Sequence, residues 1–191
     1  MSTLLNLSLR HCAYHALKLS DVILCVSKKQ RDIIVKGIPN LSDKIKVVHN
    51  PLPKVPLTDI EGTDFGYFGG PNYLKGFSTL CQALTHINNS SSKTPCVHAT
   101  KFESTTGKFA EKARRLGMLL YGRLDNQGFE RLYKQICAVV VPSIWHEPWG
   151  YVVIEAMLRG RFVIASRTGG IPEQVEKCKG VVLCQPGSSM E

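Results

Sequence analysis

Val139-Val140-Val141-Pro142-Ser143-Ile144-Trp145-His146-Glu147-Pro148-Trp149-Gly150-Tyr151-Val152-Val153-Ile154-Glu155-Ala156-Met157 is the stretch that decides the fold. Its apolar, β-branched start suits a strand buried on both faces and ends at Pro142-Ser143. A loop with one acid, Glu147, leads through Pro148 and Gly150 into a helical segment. That segment carries a second acid, Glu155, eight residues after the first. Pro148 suits the first helical position, where a missing N–H costs nothing. The unpaired N–H groups of the first turn, from Trp149 onward, then suit an anion. Glu155 falls about 12 Å further along the axis, at roughly 1.5 Å per residue. An anion site with hydroxyl acceptors at both ends describes a nucleotide diphosphate sugar. Its diphosphate caps the helix, and each carboxylate accepts hydrogen bonds from one of its two sugars.

The same alternation extends outward. Strands are predicted at 64–68, 95–99, 117–121, 137–141, 161–165 and 180–184. Helices are predicted at 75–87, 107–116, 126–136, 148–159 and 171–178. Strands alternating with helices imply an α/β domain, a Rossmann-like parallel sheet with helices on both faces. Ligands of such sheets bind at the carboxyl ends of the strands. The segments at Gly69, Arg123, Ser143–Glu147 and Ser166–Gly170 all follow strands and should meet on that edge. Before them, 3–19 reads as a helix, 21–26 as a buried strand, and Ser27-Lys28-Lys29-Gln30 as a capping box opening a helix that ends near Gly37. A strand at 45–49 follows. Residues 50–62, with Pro51, Pro53 and Pro56, read as a linker to a domain at 63–191.

The Glu147-Pro148-Trp149-Gly150…Glu155-Ala156 pattern resembles the retaining glycosyltransferases of family 4, of GT-B fold, with Trp where Phe is usual. Gly160-Arg161-Phe162-Val163-Ile164-Ala165-Ser166 and Gly169-Gly170-Ile171-Pro172-Glu173 resemble that family too. So does Phe68-Gly69-Gly70-Pro71-Asn72-Tyr73-Leu74-Lys75-Gly76, a segment that usually reads Gly-Arg…Lys-Gly. The motifs keep the family's order over roughly residues 21–187. The resemblance implies the C-terminal, donor-binding domain of a GT-B enzyme, with 1–49 as the closing part of the acceptor-side half. It implies transfer of a hexose from a UDP-, GDP- or ADP-sugar to a glycan or lipid acceptor, with no cofactor.

By the same resemblance, Glu147 holds hydroxyls of the transferred sugar and stabilises charge growing at its anomeric carbon. Glu155 holds the ribose, and Lys75 clamps the diphosphate with the amides after Pro148, at Trp149, Gly150 and Tyr151. Gly169 and Gly170, which could equally be just a turn, are placed to bring backbone N–H groups close to phosphate, and Gly69 and Gly70 are read as donor-binding positions. Plainer alternatives exist. Glu147 could simply complement the helix dipole, and Glu155 could pair with Arg159 at i+4. Two features depart from the family. Gly70 stands where a second phosphate-binding cation, Arg, is usual, with Arg123 and Arg167 as candidate substitutes. His98-Ala99-Thr100-Lys101 replaces a common Gly-rich turn. There is no Asp-x-Asp, so no metal clamp is expected.

Composition narrows the partners. The 191 residues are 43% hydrophobic, enough for one sizeable core. The net charge of +9 suits a phosphate-bearing ligand or peripheral contact with an anionic membrane. The basic residues are scattered and form no nucleic-acid module. Seven Cys without a C-x-x-C pair fit a reducing cytoplasm and no zinc site. No signal peptide and no membrane-spanning run is read. The apolar residues Leu4, Leu7, Val22, Leu24 and Val47 are expected to face a missing sheet, so the chain should self-associate or pair with a separate acceptor-domain polypeptide. Two other readings stand beside the transferase: a nucleotide-sugar-binding module without turnover, and an epimerase, against which the paired Glu argue.

Overall fold

The computed structural model describes residues 2–91, 93–104 and 106–189, with side chains from His11 onward. It divides into two compact units, Met1–Pro51 and Leu52–Glu191.

The first unit comprises α1 (Ser2–Leu19), β1 (Ile23–Cys25), α2 (Lys28–Gly37), a 3-10 turn (Pro39–Lys44) and β2 (Ile45–Val47). β1 and β2 pair in parallel, Ile23 opposite Ile45. Ser27 caps α2 as its sequence promises, accepting from Gln30 N–H at 3.1 Å. Gln30 Oε1 reaches back to Val26 N–H at 2.8 Å, one residue before the N-cap that the standard box would use. Ile23, Cys25, Leu41 and Ile45 form this unit's core. The strand predicted at 21–26 is shorter and buries only one face: Val22 and Leu24 are exposed. Val47 is half-buried. The side chains of Leu4 and Leu7 lie outside those described.

The second unit comprises β3 (Asp64–Tyr67), α3 (Phe77–Ser90), β4 (Val97–Ala99), α4 (Lys108–Arg115), β5 (Met118–Leu120), α5 (Asn126–Gln135), β6 (Ile136–Val141), α6 (Tyr151–Leu158), β7 (Phe162–Ser166), α7 (Ile171–Val175) and β8 (Val181–Cys184). The six strands lie in the order β5-β4-β3-β6-β7-β8, all parallel. The chain thus winds outward from β3 to one edge, returns to the middle at β6 and winds to the other edge. Loops after β3 and β6 diverge at that reversal and open a crevice between them.

Both faces are covered. Tyr67, Val97, Ala99 and Met118 pack under Phe77, Leu80 and Leu84 of α3 and Ala113 of α4. Ile136, Val139, Val163 and Ala165 pack against Tyr133 of α5, Val153 and Ala156 of α6 and Ile171 of α7. Burial of each such large side chain contributes about 1.5–3 kcal/mol. This two-sided burial explains why β6 reads as unbroken apolar sequence.

Residues 50–62 form no helix or strand, yet from Leu52 onward they belong to the larger unit, and their second half is bonded into it. The buried Arg161 donates to the carbonyls of Tyr133 (3.0 Å), Thr58 (2.7 Å), Asp59 (2.9 Å) and Arg159. Glu61 and Gly62 N–H both donate to the Lys134 carbonyl, at 2.7 and 3.0 Å.

Candidate functional site

The site is built from the two diverging loops. After β3 the chain turns through Gly69 and Gly70, where the buried Tyr67 hydroxyl donates to the Gly70 carbonyl at 2.9 Å. A Cβ on Gly69 would lie 2.4 Å from that hydroxyl, so the tight passage requires glycine there. Asn72 Oδ1 accepts from Leu74 N–H at 2.8 Å and Lys75 N–H at 3.3 Å, an Asx turn that fixes Lys75. Gly76 then crosses against the end of β6: a Cβ on it would sit 1.8 Å from the Pro142 carbonyl oxygen. Ile144 N–H donates to the Leu74 carbonyl at 3.0 Å and joins the two loops.

This places Lys75 on Glu147. Lys75 Nζ lies 2.5 Å from Glu147 Oε1 and 5.3 Å from the centre of the Trp145 ring. The buried Ser143 donates its hydroxyl to the same carboxylate oxygen at 2.9 Å. Glu147 is only 7% exposed, so these two donors compensate a charge that would be costly to bury alone. From behind, Gly170 N–H donates to the Glu147 carbonyl at 2.8 Å. Gly169, at φ +57, passes so close that a Cβ would lie 2.1 Å from that carbonyl oxygen. The glycine pair, read from sequence as a source of phosphate-facing amides, thus packs on the backbone of the acid, and Gly170's N–H is engaged there.

That contact also moves the helix start. α6 begins at Tyr151, not at Pro148. Were Pro148 the first helical residue, the Glu147 carbonyl would accept from Tyr151 N–H; it accepts from Gly170 instead. Tyr151 N–H turns to the Trp149 carbonyl at 3.1 Å, and Val153 N–H to the Gly150 carbonyl at 3.0 Å. Pro148 and Trp149 therefore belong to the loop. Glu155 sits one turn into α6, half-buried. Burial raises its pKa, opposed by the positive charges of Arg159 and Lys101. The i+4 pairing with Arg159 does not form: Arg159 Nη2 bonds Glu130 Oε1 at 2.7 Å.

Gly69, Lys75, Ser143, Glu147, Trp149, Gly150 and Tyr151 line one cleft of about 230 Å³ together with Lys101. Gly69, Gly70 and Lys101 also line an adjoining cleft of about 420 Å³ that extends along Pro71, Asn72 and Phe102. Arg123 is exposed and lines neither cleft, nor does Arg167. Ser143 and Lys101 are the additions to the expected site. The only sequence signal for them was position, each lying just beyond a strand's carboxyl end. A second polar cluster lies toward the opposite edge of the sheet, where Asp64 opens β3. His98 Nε2 meets Asp64 Oδ2 and its Nδ1 meets the Tyr121 hydroxyl, both at 2.9 Å, with Cys96 alongside.

A parallel sheet that reverses at its centre, with helices on both faces, defines a Rossmann-like domain, and the solved structures it superposes on give it the GT-B type. The Anabaena HepE structure in complex with UDP and glucose superposes with a TM-score of 0.76 at 22% identity, covering 96% of this chain and 54% of that one. The apo lipopolysaccharide outer core galactosyltransferase WaaB superposes with a TM-score of 0.66 at 23% identity, covering 89% and 50%. The model of the family described as Glycosyl transferases group 1 matches residues 62–191, and the chain belongs to that family. A Klebsiella pneumoniae protein, described as an uncharacterized 42.6 kDa protein in the cps region, is 29% identical over 156 residues, 80% of this chain and 40% of its own length. An uncharacterized glycosyltransferase of Methanocaldococcus jannaschii is 29% identical over 157 residues, 82% of this chain and 43% of its own. The chain thus spans less than half the length of these relatives. No helix among the described residues is long and apolar enough to cross a membrane.

Proposed function

We propose that this chain supplies the donor site of a retaining glycosyltransferase of family 4 type, which moves a hexose from a UDP-, GDP- or ADP-sugar to a glycan or lipid acceptor. The observation that carries the reading is the Ser143–Glu147–Lys75 constellation at the sheet reversal, with Glu155 further along the next helix. In this reading Glu147 meets the hexose, Lys75 and the first turn of α6 meet the diphosphate, and Glu155 meets the ribose. The donor's C–O bond breaks toward the diphosphate, which leaves with the bonding pair; the acceptor's hydroxyl oxygen forms the new bond to the anomeric carbon, and its proton passes to the departing diphosphate. Positive charge grows at the anomeric carbon, where a buried carboxylate acts electrostatically in a low-dielectric site. The diphosphate is neutralised by side-chain cations and helix amides without a metal ion.

A binding module without turnover is the second reading. It is favoured by the Lys75–Glu147 bond, which offsets the charge of the expected phosphate cation. Thermal unfolding with each nucleotide sugar tests the donor site. A ligand at 100-fold excess over its Kd should stabilise the fold by about 2.7 kcal/mol. No stabilisation by any UDP-, GDP- or ADP-sugar would refute it. Donor hydrolysis would separate the transferase from the module.

A further inference from the structure

The crevice has a charge problem. A nucleoside diphosphate brings at least two negative charges, yet Lys75 is bonded to Glu147 at 2.5 Å and the pair is neutral overall. Arg123 and Arg167 line neither cleft. Of the two other lysines in the walls, Lys108 lines only the larger cleft, away from Glu147, whereas Lys101 lines both clefts and shares the smaller one with Gly69, Lys75 and Glu147. Its ammonium has no ion pair among the described residues, and its charge reaches Glu155.

Its backbone is as unusual as its position. Lys101 is the one non-glycine among the described residues with a positive φ, 64°. For an L-residue the left-handed region costs about 1–2 kcal/mol. Such strain persists where the surroundings over-determine it, and it clusters at functional sites. Here the turn is held on both sides: Thr100 N–H bonds the Tyr67 carbonyl at 3.0 Å, Lys101 N–H the Gly122 carbonyl at 3.2 Å, and Phe102 N–H the Tyr121 carbonyl at 3.0 Å. Gly70 faces it directly. A Cβ at Gly70 would lie 2.9 Å from the Lys101 carbonyl oxygen and 3.3 Å from its Cβ. Position 70 is thus bare where Lys101 turns into the crevice, so the two residues fit as a matched pair. A glycine at 101 would adopt this turn without strain. Keeping lysine there maintains a strained backbone and gains a cation at the mouth of both clefts.

We propose that Lys101 is the second phosphate-binding cation of this site, so that a nucleoside diphosphate lies along Gly69 between Lys75 and Lys101. The assignment rests on the donor-site reading. It makes Gly70 a space-maker for Lys101 rather than a phosphate contact.

Calorimetry with UDP, GDP and ADP and the matching monophosphates tests it on wild type, Lys101→Gly and Lys93→Ala. Glycine keeps the left-handed turn, so loss of fold does not confound the result, and urea unfolding should find Lys101→Gly at least as stable as wild type. Lys93 is an exposed lysine that lines neither cleft and controls for net charge. Lys101→Gly should weaken the bound diphosphate at least tenfold and the monophosphate far less, and should flatten the salt dependence; Lys93→Ala should match wild type. Diphosphate affinity within twofold of wild type in Lys101→Gly overturns the assignment while leaving the donor site standing. A wild-type chain that binds none of these nucleotides removes the donor reading itself, and this proposal with it.

Discussion

Replacing Gly169 by alanine tests how the acid is held. Two costs are expected. Gly169 has φ +57, and a left-handed L-residue costs about 1–2 kcal/mol. The new Cβ would also lie 2.1 Å from the Glu147 carbonyl oxygen and 2.5 Å from its nitrogen. Both are backbone atoms, so neither can swing aside as a side-chain tip would. Overpacking of this kind costs about 1–3 kcal/mol, giving roughly 2–5 kcal/mol in all. Gly187→Ala isolates the first cost, because Gly187 has φ +81 with nothing within 4 Å of its virtual Cβ. Urea unfolding of both variants, with the slope checked for constancy, measures the difference. Gly169→Ala should be the less stable by at least about 1 kcal/mol, and it should also lose selectivity for a nucleotide sugar over its nucleotide, because Glu147 moves. Equal stability of the two variants would refute the idea that Gly169 is fixed by its contact with the acid.

The remaining expectations concern the carboxylates. Burial raises the Glu155 pKa in the fold, so the fold prefers the protonated form. Its contribution to stability is therefore greatest below its unfolded pKa and declines as pH rises through the folded value. Glu155→Gln should accordingly gain stability relative to wild type as pH climbs through that window, while weakening nucleotide binding about 10-fold or more, as loss of a charged hydrogen bond implies; a stability difference independent of pH would refute the buried-charge account. Ser143→Ala removes one of the two donors to a buried carboxylate and should cost about 1.5–3 kcal/mol in chemical denaturation. A loss within about 0.5 kcal/mol would mean that Lys75 alone compensates Glu147.

The central strands of the fold were legible because burial on both faces leaves a simple trace, unbroken apolar runs at regular spacing. β6 and β7 fall within a residue of their predicted bounds. The start of α6 was not legible, because the rule placing proline at the first helical position describes local chemistry. Here a distant amide, that of Gly170, captures the carbonyl the helix would have used. Arg159 makes the same point. An i+4 pair contributes only about 0.2–0.5 kcal/mol, and a better-placed acid on α5, Glu130, takes the guanidinium. Within the site, Glu147 and Lys75 could be picked out by pattern, but their bond to each other depends on two glycine passages, at 69 and 76, that only the packed structure reveals. Lys101 was marked only by its place just beyond a strand, since nothing local assigns a lysine to the left-handed region.

The measurement that bears most directly on the account is calorimetry of Glu147→Gln against a nucleotide sugar and its bare nucleoside diphosphate. If Glu147 meets the hexose, glutamine should leave the bare nucleotide affinity within a few-fold of wild type. It should also erase most of the wild-type preference for the nucleotide sugar, about 1.5–3 kcal/mol for a hydrogen bond to a charged group. Equal loss of affinity for both ligands would place Glu147 against the phosphates or in the scaffold, and would contradict the assignment on which the donor site rests.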